Sequence, residues 1–300
     1  MGQDGDIRIG ISGWTYAPWR GQFFPKGLLQ KQELAYASLF FRAIEINGTF
    51  YGLQRPDAYR AWASQVPNDF LFAVKAPRFI THVKRGRDAL IPIANFFASG
   101  VLALGSKLGP ILWQFPPSFQ FDRDRFAEFL GHLPHDTAAA SALAHRHDDH
   151  LKGRAWLKTD AVRPIRHAVE IRHKSFVDAA FVDLLRAHDV AFVCADTVEW
   201  PRLMDLTADF VYCRLHGSTE LYRSGYDDAA LDEWAARIRK WTSGIAMHNG
   251  EFAAPAHGQP PKPRDVFVFF DNTDKLRAPT DALTLMKKLG VATGHEDRAA

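Results

Sequence analysis

The stretch His167-Ala-Val-Glu-Ile-Arg-His173 decides the fold. It is a short apolar run in which Glu170 and Arg172 fall two residues apart, on one side of a strand, with His173 at the exit. Working outward, runs of the same build recur at Ile7–Ser12, Ala43–Asn47, Leu71–Ala76, Pro110–Phe115, His167–Arg172, Val190–Asp196, Phe210–His216 and Asp265–Asn272. Most gaps between them hold a segment of helical period: Gln32–Phe41, Asp57–Ser64, Ala89–Ser106, Asp124–Leu133, Asp178–His188, Asp227–Trp241 and Thr280–Leu289. Apolar strands alternating with helices are the pattern of a parallel sheet covered by helices. Eight such units in 300 residues predict an α/β fold, a single (β/α)8 TIM barrel occupying 1–300 with its core at about 7–290.

Two units depart from the repeat. TVEWPRLMDLTA between Asp196 and Phe210 is short and interrupted by Pro201, which predicts a short or distorted sixth helix. His135–Arg166 is an insertion before strand five, and Trp241–Arg264 a loop-like stretch before strand eight. A doubly wound open sheet is the competing fold, but GISGW after the first strand is not the Gly-rich dinucleotide fingerprint, and no Walker sequence occurs.

Composition narrows the class further. Apolar residues make up 47% and charged residues 24%, which excludes a disordered, collagenous or coiled-coil chain. The net charge of +3 is too small for a nucleic-acid coat, so nucleic acid is not the favoured partner. The start MGQDGDIRIG has no signal pattern, and no apolar run approaches a membrane span, so the expected location is cytoplasmic. Cys194 and Cys213 fall in apolar runs and read as reduced core residues.

Chemistry in such a barrel stands at the carboxyl ends of strands. Those ends are polar: Ser12 to Tyr16, Glu45 and Asn47, Lys75 followed by Arg78, Thr81 and His82, Gln114, then Glu170, Arg172 and His173, Asp196, Arg214 and His216, and finally Asp271, Asn272 and Thr273. Three carboxylates (Glu45, Glu170, Asp196) thus share a layer with three cations (Lys75, Arg172, Arg214). Buried charge is costly unless paired, so the layer is either an internal ion-pair network or a polar pocket. As a pocket it would hold a small anionic substrate, with Arg172 and Arg214 as anion forks and Glu45, Glu170, His173 or His216 as acid and base groups. Lys75 would act electrostatically, since neighbouring carboxylates disfavour a Schiff-base role. Trp14, Tyr16, Trp19, Tyr51 and Trp113 are possible walls.

A metal-dependent phosphodiesterase/endonuclease-like barrel is an alternative, because Glu45, His82, Glu170, His173, Asp196, His216 and Asp271 form a ligand-like pool. No spaced motif supports it and the interleaved cations compete for the carboxylates, so no cofactor is predicted and a divalent metal is the lesser reading. A non-catalytic ligand-binding barrel is the third. The cluster His145, His147, Asp148, Asp149 and His150 looks metal-binding, but the barrel order puts it at the opposite end, where a solvated face is expected.

Seven ordered motifs carry a resemblance: GISGWTYAPWRGQFFP, AIEINGTFY, WASQVPNDFLFAVKAPRFITH, LGPILWQFPPSF, AVEIRHKSF, YCRLHG and VFVFFDNT. Together they resemble the YecE-like family, domain-of-unknown-function family 72, from about Ile7 to Leu289. The resemblance implies a TIM barrel and little biochemistry. Its motif positions here are Trp14, Tyr16, Glu45, Asn47, Thr49, Tyr51, Lys75, Thr81, His82, Gln114, Pro116, Glu170, Arg172, His173, Arg214, His216 and Asn272. Gly48, Phe176 and Asp271 depart from it, standing where Ser, Trp and Asn are usual.

Overall fold

β-branched and aromatic runs buried on both faces form eight strands: β1 Ile7–Ser12, β2 Ala43–Ile46, β3 Leu71–Lys75, β4 Leu108–Gln114, β5 His167–Glu170, β6 Val190–Asp196, β7 Phe210–Leu215 and β8 Asp265–Phe270. In this computed structural model, which describes residues 4–217, 221, 224–255, 261–272 and 277–293, they follow one another in chain order and close into a barrel. Residues 1–3 at the chain start, Thr273 and residues 256–260 of the stretch before β8 lie outside the described residues. The helices are α1 Glu33–Ala37, α2 Gly48–Tyr51, α3 Pro56–Gln65, α4 Leu90–Ala98, α5 Arg123–Gly131, α6 Thr137–Ala144, α7 Ala179–Ala187, α8 Asp228–Thr242 and α9 Ala278–Leu289. Asp122, Asp136, Asp178 and Asp227 cap α5, α6, α7 and α8 by accepting from backbone N–H groups of the first turn.

The chain divides into two compact units, Met1–Glu45 with Val177–Ala300, and Ile46–Phe176. In the first, β1 pairs with β2 in the register Ser12 to Glu45 and with β8 in the register Ile11 to Phe270, while β6, β7 and β8 pair in sequence. A Cβ at Gly10 would lie 1.9 Å from the Ala43 carbonyl oxygen, so glycine is required for β1 to approach β2. Gly13 turns the chain out of β1 at φ +83°, which brings the Tyr16 hydroxyl back to donate to the Ser12 carbonyl at 2.9 Å. Cys194 and Cys213 are buried free thiols at paired positions of β6 and β7.

The expected sixth helix is absent: the segment 197–209 contains no helix. Beyond the proline, its side chains hold an extended course. Thr207 donates to the Val190 carbonyl at 2.6 Å and accepts from Phe192 N at 2.8 Å, and Asp205 accepts from the amides of Ala253 and Ala254. These bonds tie the segment to β6 and to the stretch before β8, replacing the intrahelical bonds a crossover helix would make.

In the second unit β3, β4 and β5 pair in the registers Lys75 to Leu112 and Gln114 to Glu170. The helical period read over Ala89–Ser106 breaks at Gly100, φ +119°, into α4 and a 3₁₀ turn at Val101–Lys107. The insertion before β5 holds α6, whose Thr137 donates to the Ala161 carbonyl at 2.6 Å. Phe176 packs against Phe119, Phe121 and Phe126. Among the described residues no single helix is long and apolar enough to cross a membrane.

Candidate functional site

Alternation along β7 puts Tyr212 and Arg214 on one side of the strand. Arg214 and Glu45 are both 0% exposed. The guanidinium forks the Glu45 carboxylate, Nε to Oε2 at 3.0 Å and Nη2 to Oε1 at 2.8 Å, and Nη2 also donates to Asp271 Oδ2 at 2.7 Å. Ser12 Oγ donates to Glu45 Oε1 at 3.0 Å and the Tyr212 hydroxyl to Oε2 at 2.7 Å. Both Glu45 oxygens are therefore occupied by donors from β1 and β7, in an ion pair sealed from water. His216, also buried, has Nε2 3.5 Å from Arg214 Nη1 and Nδ1 3.5 Å from Asp271 Oδ2. Of the expected acid/base and anion-binding groups, Glu45 and Arg214 are therefore buried and paired with each other, Glu45 also with Ser12 and Tyr212 and Arg214 also with Asp271.

Asp196 has a comparable place: its Oδ2 accepts from Trp234 Nε1 at 3.1 Å and its Oδ1 from Arg202 at 3.0 Å, so it anchors α8 and the segment after β6. Asn272 donates to Asp281 at 2.8 Å, fastening the end of β8 to α9, and its Oδ1 is a buried acceptor with no partner among the described residues. Asp281 in turn accepts from Tyr226 N, and burial raises its carboxyl above the usual range. Trp19 is core, packed on Tyr16, Phe23 and Phe24, and Trp14 is half-buried just past β1.

The second unit gathers the remaining predicted groups. Thr49 links the exits of β2 and β3, donating to the carbonyls of Ile46 and Lys75 at 3.0 and 2.6 Å. Lys75, at the end of β3, lies with Nζ 4.3 Å from the centroid of Phe50, and that ring meets the His82 imidazole edge to face at 5.0 Å. His82 Nδ1 is 2.9 Å from Thr81 Oγ1, and Nε2 is 3.5 Å from the Gln114 amide at the end of β4. Burial first, and then the charges of Lys75, Arg172 and Arg78, push the His82 imidazole down to about 4, with Glu170 opposing. Arg172 Nε donates to Glu170 Oε1 at 2.8 Å, a bridge at the exit of β5 with Glu170 fully buried. Lys75 at the end of β3, Arg78 in the loop after it and Arg172 past β5 thus act on the His82 imidazole as cations, and Glu170 at the end of β5 as a carboxylate.

His173 completes this group. Its Nδ1 receives the Ser175 N–H at 3.1 Å and lies 2.8 Å from Ser175 Oγ, which itself accepts from Phe121 N at 2.8 Å. An N–H can only donate, so Nδ1 bears the lone pair and the ring proton resides on Nε2. Asn47, at the exit of β2, carries a buried Oδ1 without a partner among the described residues. Tyr51 is 77% exposed, and Trp113 is core, donating to His167 Nδ1 at 3.1 Å.

The histidine-rich cluster is a surface turn. His145 and His147 bond the carbonyls of Ser141 and Asp148, and His150 bonds the Asp148 carboxylate. Among the described residues no three or more His, Cys, Asp or Glu side chains converge as a cation site. Sequence reasoning missed Tyr212, Phe50, Ser175, Arg202 and Trp234 as partners. Tyr212 could have been found from its i, i+2 spacing to Arg214 and Ser175 from its i+2 spacing to His173, whereas Trp234 reaches Asp196 only through the docking of α8.

The model of the family described as "Protein of unknown function DUF72" matches residues 8–299. The UPF0759 protein YunF of Bacillus subtilis (strain 168) is 30% identical over 126 residues, which is 40% of this chain and 44% of that protein. The UPF0759 protein YecE of Escherichia coli (strain K12) is 29% identical over 115 residues, 38% of this chain and 39% of that protein. The chain thus spans less than half the length of these relatives in each match. The structure of a DUF72 family protein from Thermotoga maritima MSB8 is similar at a TM-score of 0.66 and 24% identity, covering 95% of this chain and 99% of that one. One from Enterococcus faecalis V583 is similar at 0.63 and 17%, covering 97% and 100%. At these identities the two structures speak for the fold.

Proposed function

The chain belongs to the DUF72 family of proteins of unknown function, and from that premise we propose that it is an enzyme binding a small anionic substrate, of the phosphorylated-sugar or nucleotide-like kind, at the ends of β3, β4 and β5. The observation that carries this reading is the placing of Lys75 and His82 against the same Phe50 ring, with the charges of Lys75, Arg172 and Arg78 opposing protonation of His82 and that of Glu170 favouring it. A surplus of positive charge around a neutral imidazole is suited to an anion, which would offset the charges that now oppose one another.

In this reading Lys75 and Arg172 hold the anionic group, and Glu170 fixes the Arg172 fork through the 2.8 Å bridge. His82 is unprotonated near neutral pH and accepts a proton from the substrate, while His173 offers Nε2–H as a hydrogen-bond donor. Gln114 and Thr81 hold the His82 ring from its two nitrogens, and Asn47 supplies an acceptor suited to a substrate hydroxyl. Glu45, Arg214, Asp271 and His216 form the ion-pair support of the other unit, the network reading of the polar layer.

A turnover screen of phosphorylated sugars and nucleotide-like compounds tests the proposal. An active compound should lose about 10²- to 10⁴-fold in kcat with His82→Gln and show mainly a raised KM with Arg172→Ala. If both variants turn that compound over as the parent does, the assignment is wrong.

A further inference from the structure

Separate from the β3–β5 site, a second group of cations rests on the connections that leave β3 and β4. Beyond Arg78, which belongs to the β3–β5 site, the chain up to Ala89 carries Lys84, Arg85 and Arg87 against a single carboxylate, Asp88, and Asp88 lies 3.7 Å from Lys84. Arg85 Nη2 reaches across to Ser118 Oγ on the connection after β4 at 3.3 Å. Arg125, in the first turn of α5, returns to the same place, with its guanidinium 4.8 Å from the Phe119 ring centroid and Nη2 donating to the Lys84 carbonyl at 3.3 Å.

Three features at this place are costly as pure architecture. Arg85 is held at φ +52°, a left-handed conformation that a non-glycine residue adopts at a cost, and Gly86 follows at φ +77°, where an added Cβ would lie 3.3 Å from Phe129 Cβ. Arg125 Nε is a buried donor without a partner among the described residues. Burial and then the charges of Arg87 and Arg85 weigh against the Arg125 charge, with Asp122 as the carboxylate in its favour; Asp124 is spent on Arg123 at 3.9 Å. A strained arginine, an orphaned guanidinium donor and uncompensated like charge coincide, and one ligand resolves the last two: a compact dianion with several acceptor oxygens.

We propose that Arg85, Arg87 and Arg125, with the Ser118 hydroxyl, form a binding site for a phosphate group, either free or carried as a monoester. Guanidinium forks match the oxygens of a tetrahedral oxyanion, and the hydroxyl of Ser118 is a further donor. The Arg125 guanidinium lies 4.8 Å from the Phe119 ring centroid and is tied to the Lys84 carbonyl, which restrains it before a ligand arrives.

The test is calorimetric titration of the full chain with inorganic phosphate and with glycerol 3-phosphate. Two sites are expected in the parent: one lost in Arg172→Ala, which belongs to the β3–β5 reading, and one retained there but weakened at least tenfold in Arg87→Ala and in Arg85→Gly. Tighter binding of the ester at the second site identifies the source as a phosphorylated metabolite, and equal binding identifies phosphate itself. Arg85→Gly is the variant that guards against misfolding, because glycine relieves the left-handed strain and its unfolding midpoint should equal or exceed that of the parent. A single site, abolished by Arg172→Ala and unchanged in Arg87→Ala and Arg85→Gly, would overturn the inference while leaving the β3–β5 site standing. Two sites that both survive Arg172→Ala would do the reverse.

Discussion

Replacing Glu45 by Gln removes one charge from a fully buried ion pair and leaves the volume nearly unchanged. The amide keeps one oxygen, but its NH₂ must face donors on one side, because Ser12 and Arg214 Nη2 both donate to Oε1 while Tyr212 and Arg214 Nε both donate to Oε2. Arg214 keeps Asp271 at 2.7 Å, so the cation is not wholly abandoned. Breaking a buried pair from one side costs about 3–5 kcal/mol, and for a chain of this size that lowers Tm by on the order of 10 °C. Paired thermal and urea melts of parent and variant measure it, with the urea midpoint falling and the slope m unchanged. The double variant Glu45→Gln, Arg214→Met should lose at least about 1 kcal/mol less than the sum of the two single losses, since the partners act as one unit. A Glu45→Gln protein that melts within about 2 °C of the parent but has lost turnover would refute the structural role and return Glu45 to catalysis.

Three further outcomes follow from the same geometry. His167 is buried with Nδ1 accepting from Trp113 and Nε2 donating to the Pro134 carbonyl, and burial pushes it down to about 3 from an ordinary 6.5. The unfolded chain therefore takes up this proton first, so stability is full above about pH 6.5 and is lost as pH falls toward 3, by up to about 5 kcal/mol for the whole shift; urea melts at stepped pH should show His167→Phe flattening that slope. Ser175→Ala removes the hydroxyl contact but keeps the backbone N–H that donates to Nδ1, so His173 should remain the single Nε2–H tautomer by long-range ¹H–¹⁵N correlation of the imidazole; a mixture of tautomers in this variant would contradict the assignment. Sulfate stays dianionic over the range, so its affinity should rise as pH drops from about 6.5 toward 4, because an anion beside Lys75 and Arg172 removes the charges that oppose His82 protonation; a flat profile by calorimetry contradicts the placement of the anion near His82.

Eight strands were legible because buried parallel strands are continuous apolar runs, and the runs at Val190–Asp196 and Ile7–Ser12 match the observed strands at both ends. The sixth helix was misread because Pro201 marks a break without saying what replaces the helix, and the replacement rests on Thr207 and Asp205 bonding far along the chain. The polar strand ends were also legible as a layer. Their division was not: Glu45 and Glu170 are both strand-end glutamates, yet one is filled by Tyr212, Ser12 and Arg214 and the other bridges a partly exposed Arg172. That difference comes from strand register and from residues 167 and 169 positions away, which spacing within one strand does not reveal.

The central claim is that Lys75 and Arg172 form an anion site around a neutral His82. It is tested most directly by following the His82 imidazole resonances during a sulfate titration of the parent and of Arg172→Ala. The account predicts a saturable shift of His82 in the parent, with its protonation midpoint moving up from about 4, and at least tenfold weaker binding in the variant. His82 resonances that stay fixed at saturating sulfate, or that respond identically in the variant, would contradict it.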